Sequence, residues 1–253
     1  MSAVKAMHPL TGPVEDYLKA IFEIETAEAV GRVEHPDGAG TNEIAQRLGI
    51  APASVTGMLR RLAEQGLISY ERYRGVRLTD TGRRAALRTI RRHRVIEAYL
   101  TKALGYPWDR VHDEAEQLEH AASDELIDRM AAAIGEPTTD PHGAPIPTRE
   151  GTLDAPTLVA LEDVDVGDVA RIRQVGDKDP ERLRYLAELG VTPGADVRVV
   201  ARAPFGGPIT LWIVRKGSEG ARIPGRLGAD RERAIGPALA SQIFVEIRRK
   251  REA

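Results

Sequence analysis

Apolar residues recur at helical spacing in the first half of the chain and in short β-type runs in the second half. Pro13 opens the first helical pattern, in which Tyr17, Leu18, Ile21 and Phe22 repeat. A polar, glycine-containing stretch at 28–40 predicts a loop after it. The predicted helices span 13–26, 41–48, 52–65, about 83–104 and about 108–134.

The region that follows this loop predicts a DNA-binding module. Residues 67–73 alternate, Arg74 and Gly75 turn the chain and residues 76–79 return, which predicts a β-hairpin. Helix, tight turn, helix and basic hairpin is the order of a winged helix-turn-helix. The alternative is a helical hairpin with a solvated basic face. The candidate DNA contacts are Ser54, Thr56, Gly57, Arg60 and Arg61 on the second helix of the motif and Arg72, Arg74 and Arg77 on the hairpin.

The second half of the chain changes in pattern. Five prolines between residues 135 and 157 predict an extended linker. Short strands follow, interrupted by one helix at 180–189, and this pattern is typical of a small β-barrel. The predicted strands span 169–174, 196–201, 209–214 and 243–248.

Charge is distributed unevenly, although the 253-residue chain has a net charge of only −2. Residues 41–104 hold 13 Lys and Arg against 5 Asp and Glu, whereas residues 105–140 hold 2 against 10. A basic segment before an acidic one predicts a polyanion-binding module coupled to a cation-binding module. The chain has no cysteine and no long apolar run, so we expect a cytoplasmic protein without disulfides, thiolate metal sites or membrane spans.

The stretch from His112 to His120 carries the most specific chemistry. On a continuous helix, His112, Glu116, Glu119 and His120 fall within a sector of about 100°, which predicts a face that ligates a divalent metal ion. An exposed acidic helix with two incidental histidines is the alternative. On the preceding helix His93 pairs with Glu97 at i,i+4, so two antiparallel helices can present facing ligands. A His-Glu-x-x-His motif is absent, and a zincin-type hydrolase therefore has no support.

Several motifs together resemble the diphtheria toxin repressor family of metal-activated bacterial transcription repressors. They are Pro13-Val-Glu-Asp-Tyr-Leu, the recognition region 51–67, Arg91-Arg-His-Arg, Val111-His-Asp-Glu-Ala-Glu-Gln-Leu-Glu-His and Leu186-Ala-Glu-Leu-Gly-Val-Thr-Pro-Gly. The resemblance implies a mainly α fold with a C-terminal β domain. Its expected parts are a winged helix-turn-helix (1–80), a helical metal-binding and dimerisation domain (81–140), a Pro-rich linker (141–157) and an SH3-like β-barrel (158–253).

The resemblance also implies two metal sites. Its primary, regulatory site falls on Asp16, Glu116, Glu119 and His120. Its ancillary site falls on His93, Glu97 and His112, completed from the SH3-like domain by Asp179, with Glu181 as a nearby alternative.

The departures from the family's iron-sensing branch indicate the metal. That branch has Met where this chain has Asp16 and Cys where it has Glu116, so carboxylates replace both sulfur ligands here. Carboxylate-rich sites suit Mn(II), provided that coordination geometry supplies the selectivity. In the manganese-responsive branch, which this chain resembles, an acidic residue sometimes stands at the position of Lys19. A two-metal cluster built through that position is therefore not expected.

The function implied is a Mn(II)-activated repressor that binds a palindromic double-stranded DNA operator as a homodimer and controls manganese uptake or homeostasis. An Fe(II)-responsive repressor is the alternative, with Co(II) or Zn(II) as in vitro substitutes. An enzyme with a winged helix and a regulator that senses an organic ligand are rivals from other classes. Dimerisation is assigned to an apolar stripe, with an intrachain core as its alternative: Leu118, Ala122, Leu126, Ile127, Met130 and Ile134. Three histidines are expected to be solvated: His8, His35 and His142.

Overall fold

A computed structural model describes residues 10–29, 38–70, 75–154, 156–214 and 232–249. The chain divides into two compact units. Unit 1 comprises 1–96, 115–130 and 146–154, and unit 2 comprises 97–114, 131–145 and 155–253. Arg72, Arg74, His8 and His35 lie outside the described residues.

The N-terminal part of unit 1 is a winged helix-turn-helix, as predicted. Its elements are α1 (Gly12–Ala29), α2 (Thr41–Leu48), α3 (Pro52–Glu64), β1 (Ile68–Tyr70) and β2 (Val76–Leu78). The turn after α2 is made by Gly49, whose positive φ of 66° lets its N–H reach the last carbonyls of the helix. Pro52 then starts α3 at a position where no backbone donor is needed. Ile44, Leu59 and Leu62 are fully buried, which fixes α2 and α3 in one core.

A long helix, α4 (Asp80–Leu104), follows the wing and contributes residues to both units. The continuous helix predicted over 108–134 is wrong, because the chain forms α5 (Val111–Leu118) and α6 (Asp124–Ala133) instead. The N–H groups of Ala121 and Ala122 both bond to the carbonyl of Leu118, which ends α5. The hydroxyl of Ser123 accepts the N–H of Leu126 at 3.2 Å and caps α6. Glu119 and His120 therefore lie in the turn after α5.

The segment predicted as an extended linker is packed in its first part. His142 and Ala144 are buried, and the Asp140 carboxylate accepts both of their N–H groups, at 2.8 and 2.9 Å. Gly143 has a φ of 89°, and a Cβ atom there would lie 1.8 Å from the carbonyl oxygen of Arg173. The segment is therefore held against residues 173–175 by a hydrogen bond from the N–H of Val175 to the carbonyl of His142 and by a close approach that only glycine allows.

The C-terminal part of unit 2 is an antiparallel sheet of six strands in the order β3-β8-β4-β5-β6-β7. The strands are β3 (Val159–Ala160), β4 (Val169–Val175), β5 (Asp196–Arg202), β6 (Ile209–Val214), β7 (Glu232–Ile235) and β8 (Ile243–Arg249). Two helices accompany them, α7 (Pro180–Leu189) and α8 (Pro237–Ala240). The predicted strands and the predicted helix are confirmed. Among the described residues β3 and β7 are the two edge strands and do not pair with each other, so this SH3-like sheet is not closed into the predicted barrel.

No helix within the described ranges is long and apolar enough to cross a membrane.

Candidate metal centre

Helix α1 directs a polar face toward the turn that ends α5. Its apolar face, which includes Val14, Leu18 and Ile21, is buried in the core of unit 1. Glu15, Asp16 and Lys19 lie beside that face at i, i+1 and i+4. Burial of the apolar positions therefore fixes the direction in which these three charged side chains point.

Three of the four residues predicted for the primary site come together. The Nε2 atom of His120 lies 2.8 Å from Oδ1 of Asp16 and 3.7 Å from Oε1 of Glu119. Ligand atoms of Asp16, Glu119 and His120 all lie within 4.8 Å of one another, which fits a shared metal ion. The donors are two carboxylates and one imidazole, a set that suits hard or borderline divalent cations.

Glu15 supports this group and was missed by the sequence reasoning. Its Oε2 lies 2.7 Å from Nδ1 of His120, and its Oε1 accepts a hydrogen bond from Nη1 of Arg92 at 3.0 Å. A buried carboxylate at Nδ1 keeps a proton there and directs Nε2 toward Asp16. Metal-ligating histidines commonly have such a partner. Spacing could not reveal it, because Glu15 and Asp16 are adjacent and either carboxylate could have met the histidine.

Protons and metal compete for this group. Burial raises the pKa of Asp16, and the charges of Glu119 and Glu116 raise it further against the opposing effect of His120. Burial lowers the pKa of His120, but the hydrogen bond to Glu15 and the charge of Asp16 outweigh burial and raise it. A proton between Asp16 and His120 is thus favoured without metal, and metal binding must release it.

The fourth predicted residue, Glu116, belongs to a neighbouring group. Its Oε1 accepts a hydrogen bond from Nζ of Lys19 at 2.6 Å. His93, Glu116 and Glu119 form a second set whose ligand atoms lie within 4.8 Å of one another. Glu119 belongs to both sets, so it connects them.

In unit 2, Glu97 and His112 of the predicted ancillary site are close together. Nδ1 of His112 lies 3.4 Å from Oε1 of the fully buried Glu97. His93 stands one turn before Glu97 on α4, and its Nδ1 lies 2.5 Å from Oε2 of Glu119 within unit 1. The predicted ancillary residues therefore include one, His93, that also contacts the primary group.

His142, expected to be solvated, is fully buried beside Glu97. Its Nδ1 lies 3.7 Å from Oε2 of Glu97, and its Nε2 donates to the carbonyl of Trp108 at 2.8 Å. Glu97, Asp140 and His142 form a further group with ligand atoms within 4.8 Å. The expectation was wrong because the proline-containing segment packs. Burial lowers the pKa of His142, but Glu97, Asp140 and Asp177 raise it to about 9.

The two candidates for completing the ancillary site from the SH3-like domain lie at the start of α7. The Asp179 carboxylate caps that helix, accepting the N–H groups of Glu181 and Arg182 at 3.0 and 3.2 Å. It also pairs with the side chain of Arg182 at 2.9 Å. Glu181 is exposed. Asp177, two residues earlier, is the acidic residue of this loop whose charge acts on His142.

Comparisons with known proteins identify the family of this chain. The model for the iron dependent repressor N-terminal DNA binding domain matches residues 9–76, and that for the iron dependent repressor metal binding and dimerisation domain matches 79–148. A FeoA domain model matches 159–247. The iron-dependent repressor IdeR of Mycobacterium tuberculosis is 31% identical over 230 residues, covering 86% of this chain and 95% of that protein. The chain belongs to the iron-dependent repressor (diphtheria toxin repressor) family.

Solved structures agree with this assignment. A manganese-dependent transcriptional repressor in complex with manganese is 39% identical, with a TM-score of 0.77, and covers 92% of this chain and 98% of its own. ScaR with bound Cd2+ is 29% identical, with a TM-score of 0.72, and covers 92% and 98%. A further relative in sequence, the diphtheria toxin repressor of Corynebacterium diphtheriae, is 28% identical over 216 residues, covering 81% of this chain and 90% of that protein. Family members are DNA-binding repressors, which excludes the enzyme alternative.

Helix α3 has a buried face and an exposed face. Val55, Leu59 and Leu62 point into the core. The predicted contacts on the other side are accessible: Ser54, Gly57, Arg60 and Arg61 are exposed, Thr56 is half-buried and Arg77 on β2 is exposed. Gly57 has no atom within 4 Å of where its Cβ would be, so this part of α3 is open to close approach.

The residues predicted for the dimerisation stripe differ in their exposure to solvent. Leu118 and Leu126 are 42% and 44% exposed, whereas Ile127 is 1% exposed and belongs to the interior. The intrachain alternative therefore holds for Ile127. Leu118 and Leu126 are accessible apolar residues within the segment matched by the family's dimerisation domain.

Proposed function

We propose that this protein is a Mn(II)-activated transcriptional repressor that binds a palindromic operator as a homodimer and controls manganese uptake or homeostasis. The observation that carries the proposal is the sulfur-free donor group of Asp16, Glu119 and His120. Carboxylate and imidazole donors without a thiolate or thioether are compatible with Mn(II). The manganese-bound repressor of similar structure supports the same metal.

The residues explain how metal occupancy can control DNA binding. Asp16 lies on α1, which packs in the same core as α2 and α3, whereas Glu119 and His120 lie in the turn after α5. A bound divalent cation would neutralise the repulsion between the carboxylates of Asp16 and Glu119. Joining α1 to the metal-binding helices then biases the position of α3 in each subunit. This coupling works only if the DNA-competent arrangement holds the metal more tightly.

The ancillary site remains part of this proposal, built on His93, Glu97 and His112. For its completion we favour the loop around Asp177 over Asp179 and Glu181, because the Asp179 carboxylate already caps α7. Removing His93 and His112 together should lower the metal content by one ion per chain. Unchanged metal content would return both residues to structural roles.

The experiment that tests the function is selection of a random duplex library in parallel with Mn(II), Fe(II), Co(II), Zn(II) and chelator. We expect an enriched palindrome with Mn(II) and none with chelator. Equal enrichment after chelation would refute metal activation and favour an organic-ligand sensor. Stronger enrichment with Fe(II) than with Mn(II) would favour an iron-responsive repressor, the activity named for the IdeR relatives.

The metal preference has a sharper test in the donor atoms. The Asp16→Met/Glu116→Cys double variant introduces a thioether and a thiolate, which should shift activation from Mn(II) toward Fe(II). The matched control is Asp113→Met/Glu125→Cys, which places the same residue types at exposed positions of α5 and α6. Unchanged Mn(II) activation of the first variant would refute the argument from ligand type.

A further inference from the structure

Glu25, near the end of α1, is bonded to the second strand of the wing. Its Oε1 accepts the backbone N–H of Leu78 on β2 at 2.8 Å. The two residues are 53 positions apart in the chain, and both belong to unit 1. Arg77, predicted to contact DNA, stands directly before Leu78. A side chain of α1 therefore reaches the backbone beside a candidate DNA contact.

The hydrogen bond lies on the outer edge of β2, because the other edge of this strand pairs with β1. On the outer edge Val76 exchanges both backbone hydrogen bonds with Ala39, at 2.8 and 3.0 Å. Backbone groups two residues apart in a strand point the same way, so the N–H of Leu78 lies on this edge as well. The Glu25 carboxylate thus takes the place that a further paired residue would have.

Alternation along β2 determines where Arg77 points. Val76 is fully buried and Leu78 packs against the same core, so the residue between them lies on the opposite face, where it is exposed. The core selects the face, whereas the hydrogen bonds to Ala39 and Glu25 fix the position of the strand. A residue that binds a ligand depends on such support for its backbone.

The negative charge of Glu25 opposes DNA binding. DNA carries one negative charge per about 1.7 Å of helix axis, so a carboxylate near the basic wing repels it. The contact with Leu78 requires an acceptor oxygen but no charge. The charge of Glu25 and its hydrogen bond should therefore have opposite effects on operator binding, and suitable variants can separate them.

We propose that Glu25 is a positioning residue for the DNA-binding wing and holds β2 so that Arg77 meets the operator backbone. This inference rests on the proposed function, because it takes Arg77 as a phosphate contact of the repressor. Glu25 acts through Arg77 and does not itself touch DNA. Without the acceptor, β2 is less firmly held against α1, and ordering Arg77 then costs free energy at the moment of binding.

The test compares two neutral side chains of similar length in the full-length protein. Glu25→Gln keeps an acceptor oxygen and Glu25→Met has none, and both residues favour helices. The probe is the duplex enriched with Mn(II). We expect Glu25→Gln to bind it at least as tightly as the wild type. Glu25→Met should bind it more weakly, with a salt-dependence slope reduced by about 1. Mn(II) affinity should be unchanged in both, because Asp16 is about 14 Å away along α1.

A double-mutant cycle identifies the residue through which Glu25 acts. In the Arg77→Ala background, Glu25→Gln and Glu25→Met should bind the duplex equally, since the contact that Glu25 positions is gone. The control for charge is Glu64→Gln at an exposed position of α3, which should not weaken binding. Far-UV circular dichroism confirms folding, and Glu25→Ala replaces Glu25→Met if that variant does not fold.

The outcomes separate the inference from the function on which it rests. Equal binding by Glu25→Gln and Glu25→Met, or a difference that persists after Arg77→Ala, would overturn the role of Glu25 while leaving Mn(II) activation intact. Unaltered binding by Arg77→Ala alone would have the same consequence. Absence of Mn(II)-dependent DNA binding from the wild type would overturn the proposed function. Weaker binding by Glu25→Met that depends on Arg77 supports both.

Discussion

Unit 2 should lose stability as the pH rises above neutral, because the pKa of the buried His142 is raised. Nε2 of His142 donates to the carbonyl of Trp108, and Nδ1 faces the carboxylate of Glu97 at 3.7 Å. Oxygen atoms near both nitrogens of the ring favour its doubly protonated form. Burial alone would lower the pKa of His142, but Glu97, Asp140 and Asp177 together outweigh burial and raise the pKa to about 9.

The sign and the size of the effect follow from this pKa. A group whose pKa is higher in the folded than in the unfolded state stabilises the fold below its unfolded pKa, and the contribution is lost as the pH rises through the folded pKa. For His142 the window runs from 6.5 to about 9. At about 1.4 kcal/mol per pKa unit, roughly 3 kcal/mol of the free energy of unfolding is lost across it.

Tryptophan fluorescence provides an assay that is specific to unit 2. The chain has two tryptophans, Trp108 and Trp212, and both belong to this unit. The Trp212→Phe variant leaves Trp108, whose ring stacks on His142 with centroids 5.7 Å apart. Urea unfolding of the chelated variant at pH values across the window gives the free energy of unfolding at each pH. The control is the same variant with His142→Gln, which cannot titrate.

The two proteins should differ in how steeply the free energy of unfolding falls with pH. The His142 protein should lose up to about 1.4 kcal/mol per pH unit more than the His142→Gln protein between neutral pH and about 9. Equal slopes for the two proteins would refute the assignment of a protonated, Glu97-paired His142.

Three further variants test the metal centre, the DNA contacts and the dimer. Glu15→Gln should weaken Mn(II) binding about 10- to 100-fold in a calorimetric titration, since it removes the partner that orients His120, whereas the exposed control Glu125→Gln should not; equal affinities would contradict the role of Glu15. Arg60→Ala should reduce the salt-dependence slope of operator binding by about 1 if it contacts a phosphate, and an unchanged slope would remove it from the interface. Leu126→Asp should shift sedimentation equilibrium toward the monomer while Leu104→Asp does not, and an unaltered dimer would place the interface elsewhere.

Features that lie within a single helix or turn could be predicted from the sequence. The spacing of Val55, Leu59 and Leu62 predicts both α3 and its buried face, and Gly49 and Pro52 predict the turn before it. Helix α7 has the predicted bounds of Pro180–Leu189 because a proline and a glycine delimit it. Such features are local, since burial periodicity and backbone preference act within a few residues. The short β3 and β7 were missed because two to four residues carry no periodicity.

The metal centre depended on the family resemblance for its residues and on tertiary packing for its arrangement. Helix α5 ends at Leu118, so Glu119 and His120 lie in a turn. A liganding face predicted on a continuous helix therefore could not give their contacts. Whether Glu15 or Asp16 meets each nitrogen of His120 is decided by the rotation of α1 in the core. Lys19 joins residues that are 74 and 100 positions away in the chain, and spacing within one element carries no information on such partners. The sequence by itself determined which residue types are available and on which elements, whereas the packing of distant segments decided that Glu116, predicted as a primary ligand, pairs with Lys19.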